Sequence, residues 1–435
     1  MTRFDPLFFA KQNVLRCINC GHETALLAER LFKCPDCGGL YDVIHPATSL
    51  KINFGERFVP RSNAYDQTKG SGVWAFQELV LPGVPSKDIV SLGEKFTIVK
   101  ISGHLHEWIG GDLDLWMIAE GISPSGSFKD YGMTVLATLA KLAGASAIMC
   151  ASTGDTSAAA AAYAAAAGLQ CVVLLPKGQV SAAQLVQPLA YGATVIEVPG
   201  DFDACMRILQ ELVANYGVYP ANSLNPARIE GHQSTVFNAW LRFGRKLPEW
   251  FVVPLGNGSN TSSVGKGLRA LGGTAKILSV QPEHAAPLAD SFARAGGWNG
   301  NLNPERWTEE YSPVQAGQTI ATAAKIGNPV SFQKVMREIE YHGGGVTSVS
   351  DALAREAMFA AGASGHMVCP QTGLALAGLK WAVAQGHVSS GARVSLISTA
   401  HGLKFTGDFL PQGDQLVGVT LDEASTTAAA RAMGL

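Results

Sequence analysis

The chain has 435 residues, 47% of them hydrophobic and 16% charged, with a formal net charge of −2. That length suits two or three domains rather than one small core, and the near-neutral balance gives no overall pull toward nucleic acid or membrane. The charged share lies below the roughly 25% of an average globular protein, as expected of a chain that buries much of its surface, for instance in a homodimer.

The opening residues show no secretory pattern: the apolar cluster Pro6 to Ala10 is short and Lys11 follows it. The longest apolar window, Ala158 to Leu175, is mostly alanine and is broken by Gly168 and Gln170. It reads as a buried helix followed by a strand, not a membrane span. A cytoplasmic enzyme or binding protein is the expectation.

Of eight cysteines, four fall close together: Cys17, Cys20, Cys34 and Cys37. Each pair forms a Cys-x-x-Cys-Gly knuckle, whose turn aims two thiolates at one point. Two knuckles supply a four-thiolate tetrahedral site suited to structural zinc, with no open position for chemistry. Two disulfides are the alternative, which a cytoplasmic setting disfavours; reduced cysteines without metal are a third. Segment 1–48 is the expected ribbon, and bound metal would supply folding energy to so small a core. Cys150, Cys171, Cys205 and Cys369 are scattered, and the first two lie in apolar strand-like runs typical of inert core thiols.

Residues 49–77 read as a connector, with a packing element at Gly72 to Leu79. An apolar strand, Leu115 to Ala119, then leads into the turn Ser123-Pro-Ser-Gly-Ser-Phe-Lys-Asp130, and helical periodicity follows at Met133, Leu136, Leu139 and Leu142. Ser127 is the expected N-cap. Lys129 therefore opens a helix, where the dipole and free N–H groups disfavour its ammonium form; a neutral amine is a nucleophile. Taken alone, the stretch also suits an ordinary surface lysine.

Beyond it, strands and helices alternate: strand 147–151, helix 156–167, strand 171–175, helix 181–189, strand 194–198, helix 202–216. That rhythm predicts a parallel sheet covered by helices. Further strands are expected at 251–254, 275–281 and 394–398, and a short helix in the alanine-rich end after Gln412. Three loops stand out at strand ends. Ser152-Thr153-Gly154-Asp155-Thr156-Ser157 opens the alanine-rich helix, where hydroxyls meet free N–H groups. Pro254-Leu255-Gly256-Asn257-Gly258-Ser259-Asn260 can wrap an oxyanion with backbone N–H groups. Ser398-Thr399-Ala400-His401-Gly402-Leu403-Lys404 ends another strand. A further stretch, Asn222-Ser223-Leu-Asn-Pro-Ala-Arg228-Ile-Glu-Gly231, brings an arginine that can fork onto phosphate. Each alone also suits an ordinary capped turn, hairpin or surface arginine.

Together and in this order, these stretches resemble the threonine synthases, pyridoxal-phosphate (PLP) enzymes of the tryptophan-synthase-β fold. Ser91-Leu-Gly-Glu94 with Thr97, Gln318 to Ala323 and Ile326 to Ser331 also resemble that family, and similar ribbons precede some of its members. The resemblance implies an α/β fold with two parallel-sheet lobes: a large one from 49–134 and 247–435, a smaller one from 135–246. It implies that Lys129 carries the cofactor covalently beside Phe128 and moves protons during turnover. Gly256, Asn257, Gly258, Ser259 and Asn260 would hold the cofactor phosphate, Thr399 the pyridine nitrogen and residue 155 the phenolic oxygen. Ser152, Thr153, Thr156, Asn222, Ser223 and Arg228 would surround a phospho-amino acid. The implied reaction turns O-phospho-L-homoserine and water into L-threonine and phosphate. Asp155 stands where the family pattern has asparagine, Tyr131 where it has arginine, and Ala400 where it has glycine. The first two keep open a rival, a cysteate synthase using O-phosphoserine and sulfite. A dehydratase needs no second phosphate site, and a degenerate enzyme serving as a binding protein is the reading of another class.

Overall fold

The computed structural model describes residues 4–28, 32–46, 58, 61, 68–152, 154–178, 182–200, 202–409 and 425–433. Thr153, Ser181 and most of the connector 49–77 lie outside them. The first strands, β1 (Val14–Cys17), β2 (Glu23–Ala25) and β3 (Tyr41–Ile44), form an antiparallel sheet in the order β2-β1-β3. β4 (Ile98–Lys100) and β5 (Asp114–Ala119) precede the lysine. β6 (Ala147–Ala151), β7 (Gln170–Pro176), β8 (Thr194–Val198) and β9 (Tyr219–Pro220) follow it. β10 (Trp250–Pro254), β11 (Lys276–Pro282), β12 (Gly344–Val349) and β13 (Arg393–Ser398) come last.

Two sheets carry the body. One has the order β8-β7-β6-β9, parallel throughout. The other runs β12-β11-β10-β13-β5-β4, parallel except for the edge pair β4–β5. Helices cover both faces of the larger sheet, so its central strands are buried almost from end to end, and β10 is apolar throughout. Val252, Leu278, Val280 and Leu396 pack with Leu374, Leu376 and Leu379 of helix Pro370–Ala384. The alternate residues Phe251, Val253, Ile277 and Ile397 pack with Val264, Leu268, Val335 and Ile339. The period-two alternation of strands thus sorts one sequence into two cores.

The expected strands at 115–119, 147–151, 171–175, 194–198, 251–254, 275–281 and 394–398 are present within a residue or two. Helices Asp155–Ala167, Ala182–Ala190 and Phe202–Tyr216 follow the expected rhythm, and Thr426–Ala432 is the short terminal helix. In these two sheets three strands escaped the sequence reading, as did the three strands of the N-terminal sheet. β9 has two residues, β4 has three, and β12 opens on two glycines. Gly345 lies against Phe292 and Trp298, where a side chain would collide; a glycine in a strand marks such a close approach. The packing element near 72–79 is real. It forms the short turns Trp74–Phe76 and Gln77–Val80, with Trp74 donating from Nε1 to Thr134 at 2.8 Å. Among the described residues, no helix is long and apolar enough to cross a membrane.

Candidate active site

The lysine turn is built by a residue inside the helix rather than by a cap in front of it. The Asp130 carboxylate accepts from Ser125 N at 2.7 Å and Ser125 Oγ at 2.5 Å, and Gly126 supplies the required positive φ of 82°. Ser127 is not the N-cap expected above. Helix Lys129–Leu142 starts after Phe128 without a side-chain cap, and the buried Ser127 Oγ has no hydrogen bond. The backbone is used instead: Ser127 pairs with Ala400, Phe128 N donates to Thr399 O at 2.8 Å, and His401 N donates to Gly126 O at 3.0 Å. The lysine turn is thereby stitched to the loop that follows β13.

Lys129 Nζ lies 3.7 Å from the centroid of the Phe128 ring and makes no hydrogen bond among the described residues. Burial, then the Arg228 guanidinium, push its amine down to about 7, against the pull of Asp155, Glu120 and Cys369. The direction was legible from the helix start, but burial is the larger cause.

The larger sheet aligns three of the loops. β10, β13 and β5 are neighbours and parallel, so the glycine loop, the Thr399 loop and the lysine turn leave the same sheet edge. Two strand spacings separate the outer pair, about 10 Å. This is the crevice beyond the carboxyl ends of parallel strands where such sheets bind ligands. Gly258 begins helix Ser259–Ala270 at φ 91° with no side-chain cap, leaving N–H groups free for an anion. Its missing Cβ would sit 2.6 Å from Val335 Cγ2, and that of Gly256 2.9 Å from the Ala323 carbonyl. Asn257 holds the far side of the loop: its carbonyl accepts from Ser331 N at 3.0 Å. Asn260 Nδ2 is buried without a partner, a donor in want of an acceptor. Thr399 is 4% exposed, with Cys369 Sγ 3.4 Å from its hydroxyl.

The smaller sheet supplies the opposite wall. Ser152 Oγ accepts from Gly154 N at 3.4 Å, and Asp155 and Thr156 open helix Asp155–Ala167, which again lacks a side-chain cap. Asp155 pairs with Lys404 Nζ at 2.9 Å, a contact between the two walls, and Lys404 also donates to Ser125 O at 2.9 Å. Both ends of the Asn222 amide are taken by the Ala151 backbone, at 3.0 and 3.1 Å, so this side chain clasps β6 to the chain after β9. Ser223 is half-buried beside it. Arg228 is 2% exposed. Its Nη1 donates to Ala221 O at 3.2 Å, its Nε has no partner, and no carboxylate among the described residues pairs with it. Burial alone pulls its guanidinium down to about 10.

Sequence reasoning missed four groups. Glu120 is buried; Thr235 donates to its Oε1, its Oε2 is unpaired, and burial lifts its carboxyl to about 8. His232 lies one turn beyond Arg228, its ring 4.8 Å from that of Phe128. Neither ring nitrogen completes a hydrogen bond, and burial holds the ring neutral, with the Phe128 carbonyl pulling weakly the other way. Cys369 is a buried thiol against Thr372 and Thr399. Lys404 is the cation on Asp155. Of these, only Lys404 and His232 carried a usable signal: the first lies in a quoted motif, the second at helical spacing from the arginine. Tyr131, by contrast, points away from the crevice. It stacks on Phe96 at 4.1 Å, and its hydroxyl donates to Lys95 O at 2.8 Å.

In the N-terminal sheet, the Sγ atoms of Cys17, Cys20, Cys34 and Cys37 all lie within 4.8 Å of one another, with three pairs at 3.5 Å. Four thiolates about 2.3 Å from a zinc ion stand roughly 3.8 Å apart, so this cluster can hold one with little movement.

Comparison with known proteins agrees with this geometry. The family described as "Pyridoxal-phosphate dependent enzyme" matches residues 91–400. Threonine synthase 2, chloroplastic, of Arabidopsis thaliana is 36% identical over 85% of this chain and 72% of its own length. The threonine synthase of Methanocaldococcus jannaschii is 34% identical over 89% of this chain and 92% of its own. Among solved structures, maize serine racemase superposes with a TM-score of 0.58 at 17% identity, over 72% of this chain and 91% of that one; this likeness speaks to the fold alone. The chain belongs to the pyridoxal-phosphate dependent enzymes and, among them, to the threonine synthase family.

Proposed function

We propose that this enzyme converts O-phospho-L-homoserine and water to L-threonine and phosphate, with Lys129 as the residue that carries pyridoxal phosphate. The observation that carries the reading is Arg228, a buried cation without a carboxylate partner among the described residues, on the wall opposite a second and separate candidate anion site at Gly256–Asn260. One phosphate belongs to the cofactor and the other to the substrate; a dehydratase has use for only the first.

The residues suit the cofactor. The glycine loop, the free helix start and the unpaired Asn260 amide would receive its phosphate, Thr399 its ring nitrogen, and Phe128 packs beside the lysine. When bound, pyridoxal phosphate supplies an electron sink for charge developing on substrate carbons. Thr399 is a neutral hydroxyl and does not force the ring nitrogen to stay protonated. Lys129, once free of the cofactor, has an amine near neutrality and can take and return protons at the substrate's carbons. Arg228 orients the phosphate and stabilises it as it leaves. Ser152, Thr153, Thr156 and Ser223 would complete the substrate's shell. Asn222 would act by holding β6 and β9 together. Asp155, tied to Lys404, stays an acceptor and would take a proton-bearing phenolic oxygen.

The cysteine cluster would hold one structural zinc ion. We divide the chain into 1–48, 49–134 with 247–435, and 135–246; the membership of the three sheets supports this reading. A homodimer and a cytoplasmic location go with this reading: the low charged share supports the first, and a reduced four-thiolate site the second.

Phosphate release from O-phospho-L-homoserine, with threonine as product, is the test. Release from O-phosphoserine only, and dependent on sulfite, would replace this reading by the cysteate synthase. Tyr131, one ground for that rival, does not face the crevice.

A further inference from the structure

The N-terminal ribbon touches the helix that carries Arg228. Helix Ala227–His232 has only six residues and no side-chain cap. Its contact with the lysine helix is backbone to backbone: a Cβ on Gly231 would lie 1.7 Å from the Tyr131 carbonyl oxygen. At about 100° per residue, Glu230 points almost opposite to Arg228, away from the crevice. It is buried, and its carboxylate is surrounded. Lys266 Nζ meets one oxygen, while His45 Nε2 at 3.1 Å and Gln233 Nε2 at 3.0 Å meet the other. His45 belongs to the ribbon, just after β3. Lys266 also donates to the ribbon's Val43 carbonyl at 2.6 Å. The ribbon is itself fixed to helix Phe332–His342: Lys334 meets Tyr41 O at 2.6 Å and Asp42 Oδ1 at 2.8 Å, and Arg337 meets Asp42 Oδ2 at 2.6 Å.

We propose that Glu230 is a positioning residue for Arg228 and that the ribbon, through His45 and the Val43 carbonyl, braces the phosphate-binding helix. The inference rests on the reading of Arg228 as the holder of the substrate's phosphate. A six-residue helix makes too few internal hydrogen bonds to fix its own orientation. A fully partnered buried carboxylate, in contrast, has one low-energy arrangement, and losing a partner leaves a buried charge uncompensated. Arg228 must meet phosphate with two parallel bonds, so a small rotation of its helix is felt as lost affinity. The ribbon therefore contributes to substrate binding without reaching the substrate.

Binding of inorganic phosphate to the cofactor-loaded, full-length protein, by titration calorimetry, and steady-state kinetics with O-phospho-L-homoserine test this. Glu230→Gln and the ribbon variant His45→Leu should each weaken phosphate about tenfold and raise KM alike. The cofactor's absorbance band should not move, and kcat should change less than about twofold. In an Arg228→Lys background, Glu230→Gln should make no further difference. Unchanged phosphate affinity in His45→Leu overturns the proposal even where Glu230→Gln fails to fold. A loss undiminished by Arg228→Lys also overturns it. An Arg228→Lys protein that binds phosphate like its parent overturns the underlying reading as well, and so separates the two failures.

Discussion

Replacing Arg228 with methionine should make the enzyme more stable and nearly useless. The guanidinium is 2% exposed and, among the described residues, has one hydrogen bond to a backbone carbonyl and no acidic partner. Burial lowers it from 12.5 to about 10. At about 1.4 kcal/mol per unit, the charged form is disfavoured by about 3 kcal/mol in the unliganded protein. The penalty is present in full at neutral pH, because arginine remains charged there. Methionine keeps the apolar stem, loses one hydrogen bond of about 1 kcal/mol and removes the charge. The net expectation is a gain of about 2 kcal/mol, in line with other replacements of buried charges by apolar groups.

The assay is urea unfolding of the cofactor-loaded protein, in which the glycine loop is already filled, with and without inorganic phosphate. Phosphate at a hundred times its Kd should add about 2.7 kcal/mol to the parent and nothing measurable to the variant. The variant's kcat/KM for the phospho-substrate should fall at least about 100-fold, for two charge-assisted hydrogen bonds lost. A variant less stable than its parent without phosphate, yet equally stabilised by phosphate, would show that Arg228 is a structural arginine and not an anion site.

Other perturbations follow the same logic. The Lys129 amine titrates at about 7, so capture of pyridoxal phosphate by cofactor-free protein should speed up as pH rises toward 7 and level off above it. Asp155→Asn removes a charge that favours the ammonium and should move that midpoint down; stopped-flow absorbance reads both, and a midpoint near 10 would contradict the burial argument. Glu120 is raised from 4.5 to about 8, so the folded protein binds the proton more tightly than the unfolded chain. Its carboxyl therefore costs stability progressively as pH rises from 4.5 to 8. Glu120→Gln should flatten that decline and be the more stable form at alkaline pH in denaturant titrations; an unchanged slope counts against the burial of Glu120. Elemental analysis should find one zinc per chain, and Cys20→Ser should lose it along with a lowered unfolding midpoint; full stability of a zinc-free Cys20→Ser protein would make the ribbon self-supporting.

Local chemistry made much of this architecture legible. The central strands of the larger sheet are mostly apolar runs bounded by turns, and the glycines at 256 and 258 mark a backbone too close to its neighbours for side chains. Two knuckles at fixed spacing announced the four-cysteine cluster. What stayed hidden depends on contacts distant in sequence. Glu120 gains its character from burial, against the opposing pull of Thr235 and Lys129, and no local pattern marks it. β12 was obscured because its glycines serve close approach, Gly345 to Trp298 and Gly344 to the Ile277 backbone, rather than strand propensity. Ser127 looked like a cap, but Asp130 closes the turn from within the helix. The partner of Asn222 was hidden for the same reason: the strand end at Ala151, 71 residues away in sequence, meets both ends of its amide.

The two faces of helix Ala227–His232 explain why an enzyme of this kind carries a ribbon at all. Among the described residues, Arg228 Nε, both nitrogens of His232 and Glu120 Oε2 are buried without hydrogen-bond partners. Each such group destabilises the unliganded protein, and the penalties together rival the whole stability of a typical domain. Satisfying the Arg228 guanidinium internally would restore stability but, on the reading proposed above, would take away the group that meets phosphate. On the far side, Glu230 is saturated, and two of its contacts run to or through the ribbon. The stabilisation lacking on the crevice side is thus supplied where it cannot compete with ligand, by an element with its own sheet and a four-cysteine cluster. Weakening the ribbon should therefore show itself as lost phosphate affinity before it shows itself as lost chemistry.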